Sequence, residues 1–457
     1  MNGGGTRNLQ KVVTHLGELG HQVRVLSPRR EDSDQTFRWH PNVTVEPCLT
    51  FKQPFPGPYE ISYHHMAMNV QRLREALADS DRFYLHDGEW LCHGVYADTP
   101  TVVSLRDNVY PESMLGAFNF QSDTLIAISQ YSYDLYLATV GRSNSTLPSR
   151  LRKISNGIDT DVFCRREPSA ELLRYLDFDP TGKRVILHPH RPESSKGMWQ
   201  TVDVAERLVD RGLRDLLVLV PTWFDVSISQ EVDAFYQEVR TAIAERGLEK
   251  NFHFHGWIPQ PLMAEYYSLG ELTLALGHFV EAFGNVPYES MACGTPAVVA
   301  RVATHRSLMP DALIAKVHYD DAEAAAEFAW DILSNRRETS DDALAFIADE
   351  FSVDKQLAGY ADAIINAELA QPEPLPPASP ITEDTSFRLA PWCYRSSETR
   401  FYHDFNARHD DIPALASALV DDRVTRSRAR QLALSPNTLE SWYEAGFIIP
   451  ASAENTN

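Results

Sequence analysis

The stretch EAFGNVPYESMACGTPAVVA, residues 281–300, decides how this chain is read. Two carboxylates, Glu281 and Glu289, stand with seven residues between them, and Gly284 lies in the interval. A helix opening at Asn285 and Val286 runs into a Gly294-Thr295-Pro296 turn and then a short apolar strand. Pro287 is tolerated near the helix start because the first N–H groups of a helix have no intrahelical partner. Those N–H groups and the positive end of the helix suit a diphosphate. Glu289, further along the helix, offers a carboxylate that accepts both hydroxyls of a ribose, while Glu281 on the preceding loop is free to meet a sugar. Two glutamates at this spacing also arise by chance as solvated charges on many helices, so the spacing alone assigns no function.

The surrounding chain supplies the context. At 457 residues it is long enough for two large domains and an extra piece. The net charge of −21 argues against a nucleic-acid binder and against unaided docking on anionic lipid. Cys48, Cys92, Cys164, Cys293 and Cys393 are scattered, odd in number and without a CxxC pair. That pattern fits reduced thiols in a cytosol better than a disulfide scaffold or a zinc site, so the expected location is cytoplasmic. No apolar run reaches membrane-spanning length, and no stretch resembles a signal peptide.

Short β-branched runs alternate with amphipathic helical stretches. One series of candidate strands comprises residues 22–26, 82–86, 101–105, 124–129 and 151–155; a second comprises 184–188, 216–220, 252–254, 272–276 and 297–300. Alternation of this kind implies parallel sheets covered on both faces. The expected fold class is α/β, with two Rossmann-like domains facing across a cleft and a small C-terminal helical appendage. The expected divisions are 1–165 (the first Rossmann-like domain), 166–350 (the second), a closing helix at 351–370, a proline-rich linker at 371–386, and an appendage at 387–457. Helical pieces are expected there at 412–419, 424–434 and 436–445. The last two have the outline of a helix-turn-helix, but a packing or partner-docking module, open to self-association, is the favoured account. The chain's start departs from the pattern. Gly3-Gly4-Gly5 comes almost at Met1, the expected helix 6–19 follows, and the strand that should precede the glycines is missing, which suggests a true start further upstream.

Further constellations lie at strand ends. HPHRPESSKG places Arg191 and Lys196 on the loop after the strand at 184–188, where two cations can neutralise a departing diphosphate; a solvated basic loop is the plain alternative. ISNGIDTDVF, 154–163, is a turn built on Asn156 and Gly157 and capped by Asp159, with a structural role. Gly4 and Gly5 open a helix and let backbone N–H groups approach phosphate. His86 and Asp87 end one strand, and Arg106 and Asp107 end the next. The His-Asp pair is open to an acid/base reading and to a structural one. Asp177-Phe178-Asp179 spells a D-x-D, but it falls at a helix end before Pro180 and Gly182 and is read as a turn; no catalytic metal is expected.

The run HFHGWIPQPLMAEYYSLGELTLALGHFVEAFG, together with the arginine-x4-lysine-glycine pattern at 191–197 and the NGID segment, resembles the retaining, family-4-type (group 1) glycosyltransferases of GT-B fold over about residues 3–370. The resemblance implies a hexosyltransferase that moves a sugar from a nucleotide-sugar donor to an acceptor hydroxyl. No cofactor is needed, since the nucleotide-sugar is itself a substrate. It implies that Glu281 meets the sugar, that Arg191 and Lys196 clamp the diphosphate, and that Glu289, Gly284, Asn285, Val286, Gly4, Gly5 and His278 bind the donor. His86 and Arg106 fall on the acceptor side. Many members carry a histidine where this chain has Arg106; an arginine cannot serve as a base there, so Asp107 becomes the candidate for orienting the acceptor hydroxyl. Gly277, His278, Phe279 and Ala282 also depart from the family's commonest wording, which has serine near His278 and glycine at Ala282. The acceptor pocket is expected within residues 29–65, which are rich in proline, histidine and aromatics. Competing readings are another enzyme of the same fold (an epimerase or a phosphorylase) and a non-catalytic sugar-nucleotide binder.

Overall fold

A computed structural model of the protein describes residues 4–29, 34–51, 61–88, 92–190, 193–222, 229–371, 382, 385–435 and 437–451. The later half holds six parallel strands in the spatial order Phe252–His255, Leu216–Pro221, Arg184–Leu187, Leu272–Ala275, Ala297–Ala300 and Ala315–Val317. These strands are apolar on both faces because helices cover both. Val185, Leu187, Leu217 and Leu219 enter one buried cluster, while Ile186, Leu216, Val218 and Val220 enter the other. The Met198–Asp210 helix turns Met198, Val202, Ala205 and Leu208 into the second cluster, a stripe at helical spacing. Strand order reverses between Arg184–Leu187 and Leu272–Ala275. The loops leaving the carboxyl ends of those two strands therefore part in opposite directions and open a crevice. The strand at Ala315–Val317 was not among those expected from sequence.

In the earlier half, Phe83–His86, Thr101–Leu105, Thr124–Ala127 and Leu151–Lys153 form a parallel sheet. A second sheet has the order Val23–Pro28, Val43–Leu49, Phe37–His40. Its hairpin, Phe37 to Leu49, occupies part of the stretch where an acceptor pocket was expected; residues 30–33 and 52–60 of that stretch lie outside the described ones. No ladder joins the two sheets among the described residues. Val23–Pro28 and Phe83–His86 are each the edge strand of their own sheet.

The Val353–Ile365 helix starts at Ser352, whose hydroxyl accepts from the Lys355 N–H, and it packs back on the first half. Tyr360 joins Val12, Val102 and Ile126 in one buried cluster, and its hydroxyl meets that of Ser104 at 2.9 Å. The crossover between the halves, Asn156-Gly157, lies flat against this helix. A Cβ on Gly157 would come 2.4 Å from Val353 Cα, so only glycine fits.

Most of the linker, residues 372–381 with 383 and 384, lies outside the described residues. Residues 386–451 correct the expected helical appendage. They contain helices at Pro413–Ala418, Arg426–Gln431 and Thr438–Glu444, close to the expected positions, but also six strands in two small antiparallel sheets. Ser386–Leu389 is the central strand of one sheet, between Arg423–Thr425 and Ile448–Pro450. The apolar alternation in these strands spans only three or four residues, too short to distinguish from helix by period. This module packs on both halves: Phe387, Trp392, Phe401 and Tyr402 share a buried cluster with Tyr131 and Leu135 of the first half and Ala300, Val302 and Ala303 of the second.

At the centre of that junction Asp404 has no side-chain exposure. It accepts from Tyr131 Oη at 2.8 Å, from the Ala303 N–H at 3.1 Å, and from both terminal nitrogens of Arg306 at 2.7 Å. A buried carboxylate is tolerated because every lone-pair direction is met and a guanidinium neutralises it. Gly157→Ala is expected to destabilise the folded chain by about 1–3 kcal/mol through overpacking. An unchanged thermal midpoint for that variant would contradict the close approach at the crossover.

Candidate functional site

The site grows from the two loops that flank the crevice. The loop after Arg184–Leu187 turns at a short 3-10 segment, Ser194–Lys196, and enters the Met198–Asp210 helix through Gly197 at φ +86°. The loop after Leu272–Ala275 begins with Gly277. A Cβ on Gly197 would sit 2.5 Å from the Gly277 nitrogen, and one on Gly277 would sit 2.1 Å from the Ser195 carbonyl oxygen. The two backbones therefore touch, which two side-chain-free residues alone permit. The Phe279 N–H donates to Ser195 O at 3.1 Å and sews the loops together. His190 Nε2 donates to Leu274 O at 3.0 Å and ties the start of one loop to the neighbouring strand.

This contact delivers Lys196 to Glu281. Lys196 Nζ lies 2.7 Å from Glu281 Oε1 and 3.4 Å from the centroid of the Phe279 ring. Burial opposes the charge on Glu281, but Lys196, with weaker help from His305 and His190, outweighs it and holds the carboxyl below its ordinary value. Lys196 is buried, whereas Glu281 keeps 27% of its side chain open to the crevice. Gly284, at φ +70°, caps the Asn285–Ala292 helix. Asn285 and Val286 are its first residues, so their N–H groups face the crevice end with no helical carbonyl to accept them. The helix closes with Gly294 at φ +90°, and the Thr295 N–H returns to Ser290 O at 3.1 Å.

Glu289 is buried, and its Oε2 accepts from Tyr267 Oη at 3.1 Å. Burial raises its carboxyl above the ordinary value, against the pull of Arg7 and Lys11 and of hydrogen bonds from Tyr267 and Asn285. Arg7 and Lys11 come from the Gly4–Glu18 helix of the first half, so Glu289 faces cations across the crevice. His278 packs edge-on to Tyr319, with ring centroids 5.5 Å apart. Arg191 lies outside the described residues.

The first half places its candidate residues as follows. Gly4 and Gly5 are the first residues of the helix, not a loop before it; Gly3 lies outside the described residues. His86 is committed at both nitrogens: Nε2 meets Gly5 O at 2.9 Å and Nδ1 meets Tyr84 Oη at 2.8 Å. A carbonyl only accepts, so the proton sits on Nε2 and the tyrosine donates to Nδ1. Burial, reinforced by Arg106, lowers this histidine to about 3, so it stays neutral and acts as a strut between strand and helix. Asp107 spends Oδ1 on the N–H groups of Val109 and Tyr110, at 2.6 and 2.9 Å. That caps the loop entering the Pro111–Phe118 helix and places Tyr110 across the crevice from Phe279, with centroids 6.5 Å apart. Burial raises the Asp107 carboxyl, countered by those two N–H groups and reinforced by Asp87 and Glu281.

Arg106 is engaged by two other elements. Its Nη1 donates to Tyr360 Oη at 3.1 Å and its Nη2 to Asn156 Oδ1 at 2.6 Å, while Asn156 Nδ2 donates to Asn285 Oδ1 at 3.3 Å. The arginine thus links the first sheet, the closing helix and the start of the Asn285–Ala292 helix. In the suspected decoy, Asp177 caps a helix end at φ +51° and Asp179 Oδ1 accepts from the Thr181 N–H and hydroxyl, which makes the segment a turn.

Sequence reasoning missed His305. It is buried, and its Nδ1 lies 2.9 Å from Tyr288 Oη. Burial lowers it to about 4 despite the nearby Glu281 charge. A Cβ on Gly284 would stand 2.8 Å from His305 Nε2 and 3.3 Å from Glu281 Cγ, so the imidazole lies directly against the turn between the two glutamates. Nothing in the local sequence marks it, because its neighbours arrive from another loop.

Two family models match in series. Glycosyltransferase Family 4 covers residues 2–162, and Glycosyl transferases group 1 covers 178–343. Among curated relatives, D-inositol 3-phosphate glycosyltransferase of Thermomonospora curvata is 42% identical over 170 residues, 36% of this chain and 38% of the relative. GDP-mannose:cellobiosyl-diphosphopolyprenol alpha-mannosyltransferase of Xanthomonas campestris is 24% identical over 39% of this chain and 40% of the relative. The chain thus spans little more than a third of the length of these relatives. Sucrose-phosphate synthase of Thermosynechococcus elongatus has a similar fold, with a TM-score of 0.64 at 18% identity over 79% of this chain and 92% of the other. HepE of Anabaena, solved with UDP-glucose, superposes with a TM-score of 0.62 at 18% identity over 79% and 96%. The chain belongs to the group 1, family-4-type glycosyltransferases.

The two glutamates should respond to pH with opposite sign. Glu281 is held below its ordinary value of 4.5, so the Lys196 pair contributes stability that is present above that pH and lost as pH falls through the lower folded-state value. Glu289 is raised, so stability is lost as pH climbs from the ordinary value of 4.5 towards the higher folded-state value, and the whole cost is present above it. Thermal melts should show Glu289→Gln stabilised at pH 7 and Glu281→Gln destabilised, with both differences shrinking toward pH 3. A stabilised Glu281→Gln at pH 7 would overturn the assignment.

Proposed function

We propose that this group 1 glycosyltransferase moves a hexose from a nucleotide-sugar donor to an acceptor hydroxyl with retention of anomeric configuration and without a metal. The observation that carries the reading is the Lys196–Glu281 pair at the strand-order reversal, beside the Asn285 helix start and with Glu289 behind it.

In this reading the diphosphate lies at the N–H groups of Asn285 and Val286 and beside Lys196, with Arg191 as the second cation. The ribose hydroxyls donate to Glu289; its raised carboxyl still ionises at neutral pH once those donors arrive. The hexose sits on the 277–285 loop, where the depressed Glu281 carboxylate accepts from sugar hydroxyls. On bond breaking, the leaving phosphate gains charge against Lys196 and the helix end, and it takes the acceptor's proton on the same face. That accounts for retention without a protein nucleophile. Two first-half groups near the crevice are unsuited to act as the base: His86 is neutral and bonded at both nitrogens, and an arginine stands at 106. HepE, with its bound UDP-glucose, and the relative that uses GDP-mannose support a nucleotide-sugar of one of these two kinds.

A thermal-shift screen with UDP-, GDP- and dTDP-sugars should raise the melting midpoint for one nucleotide class. Lys196→Ala and Arg191→Ala are each expected to lower transfer about 10²–10³-fold, the usual loss when one charge stabiliser is removed. Glu289→Ala should weaken binding of the free nucleoside diphosphate by about tenfold through the lost ribose hydrogen bonds. An inverted product anomer by NMR, or undiminished transfer by Lys196→Ala, would sink the proposal.

A further inference from the structure

The residues at 386–451 contribute more than an added layer. Their buried Asp404 grips the turn Ala303–Arg306 at both ends, through the Ala303 N–H and the Arg306 guanidinium. Ala303 stands at φ +45°, a left-handed conformation that an alanine rarely adopts. Such a conformation persists only where surrounding contacts over-determine it. Asp404 provides them, and Arg306 Nη2 adds a bond to Pro391 O at 3.0 Å.

Between those two gripped residues sits His305. Its Nδ1 lies 2.9 Å from Tyr288 Oη, and the nearby Glu281 charge acts on the ring. The ring fills the space under Gly284 and beside Glu281 Cγ, the underside of the loop that the proposed function assigns to the hexose. The module reaches the same loop a second way. Tyr402 lies 5.6 Å from Tyr319, and Tyr319 lies 5.5 Å from His278. His409 Nε2 also donates to Tyr319 O at 3.1 Å. Both ends of the loop, His278 and Gly284, thus rest on groups that the module holds in place.

We propose that the 386–451 module is a positioning element for the donor sugar, in which Asp404, through the 303–306 turn, sets His305 beneath Glu281 and Gly284. Asp404 and His305 are positioning residues in this scheme. They act on the hexose end of the donor and leave the nucleotide end, held by Glu289 and the Asn285 helix, unaffected. The inference rests on the proposed function's placement of the sugar.

Calorimetry on the full chain with UDP, UDP-glucose, GDP and GDP-mannose separates the two ends. The wild type should bind one nucleotide class and bind its sugar form more tightly than the bare diphosphate. His305→Gln and Asp404→Asn should each weaken the sugar form by about tenfold, as small misplacements of a binding group do, with the diphosphate constant within about twofold of wild type. Tyr131→Phe, which removes only the first-half leg of the Asp404 cluster, should keep the wild-type ratio. Equal weakening of both ligands, or no weakening of either in His305→Gln, overturns the inference. If Asp404→Asn does not fold, His305→Gln, which leaves the module's contacts intact, carries the test alone. A wild type that binds none of the four ligands refutes the proposed function itself, and this inference with it.

Discussion

Everything at the crevice depends on a backbone-to-backbone contact between Gly197 and Gly277. Two loops leave adjacent parallel strands in opposite directions, and their chains meet only because neither residue has a Cβ. That approach sets Lys196 against Glu281 and Phe279, and it starts the path to Gly284 and the following helix. With side chains at those points the loops would stand apart, and a buried lysine would face an unpaired burial cost of several kcal/mol. The ion pair is better seen as a consequence of the fold's reversal than as its cause.

The two glutamates then differ because their surroundings differ. Glu281 has a cation at contact distance and partial access to the crevice. Glu289 has a tyrosine hydroxyl, deep burial, and cations only from the opposite half. One is ready as a fixed negative charge. The other is held at a desolvation cost that its tyrosine and the distant cations only partly offset.

The contacts that join the halves come from residues far apart in sequence. Arg106 links Tyr360 and Asn156, and Asn156 reaches Asn285. Asp404 joins Tyr131 to Arg306 and the Ala303 N–H. Such buried, fully satisfied polar junctions fix one arrangement among many apolar ones. They place the C-terminal module between the two halves, beside the site, where its strands and aromatic residues pack on the 300–306 and 318–319 segments.

Much of this was legible in the sequence. The ten expected strands all form, within a residue or two at each end, because apolar runs between amphipathic helices leave few alternatives to a parallel sheet. Residues 281–300 also announced their helix, their turn and the two carboxylates, since glycine and proline act locally. Sequence could not show which partners those groups meet. His86 reads in sequence as an acid/base group or a structural one, and its two bonds make it a strut; Asp107 uses one oxygen to cap its own loop; His305 has no sequence signal and packs against Gly284. The module at 386–451 was read as helical because its strands are too short to display a period. Local periodicity and backbone chemistry are written in consecutive residues. Protonation, reach and pairing depend on groups brought together across hundreds of positions, and only the packed chain decides them.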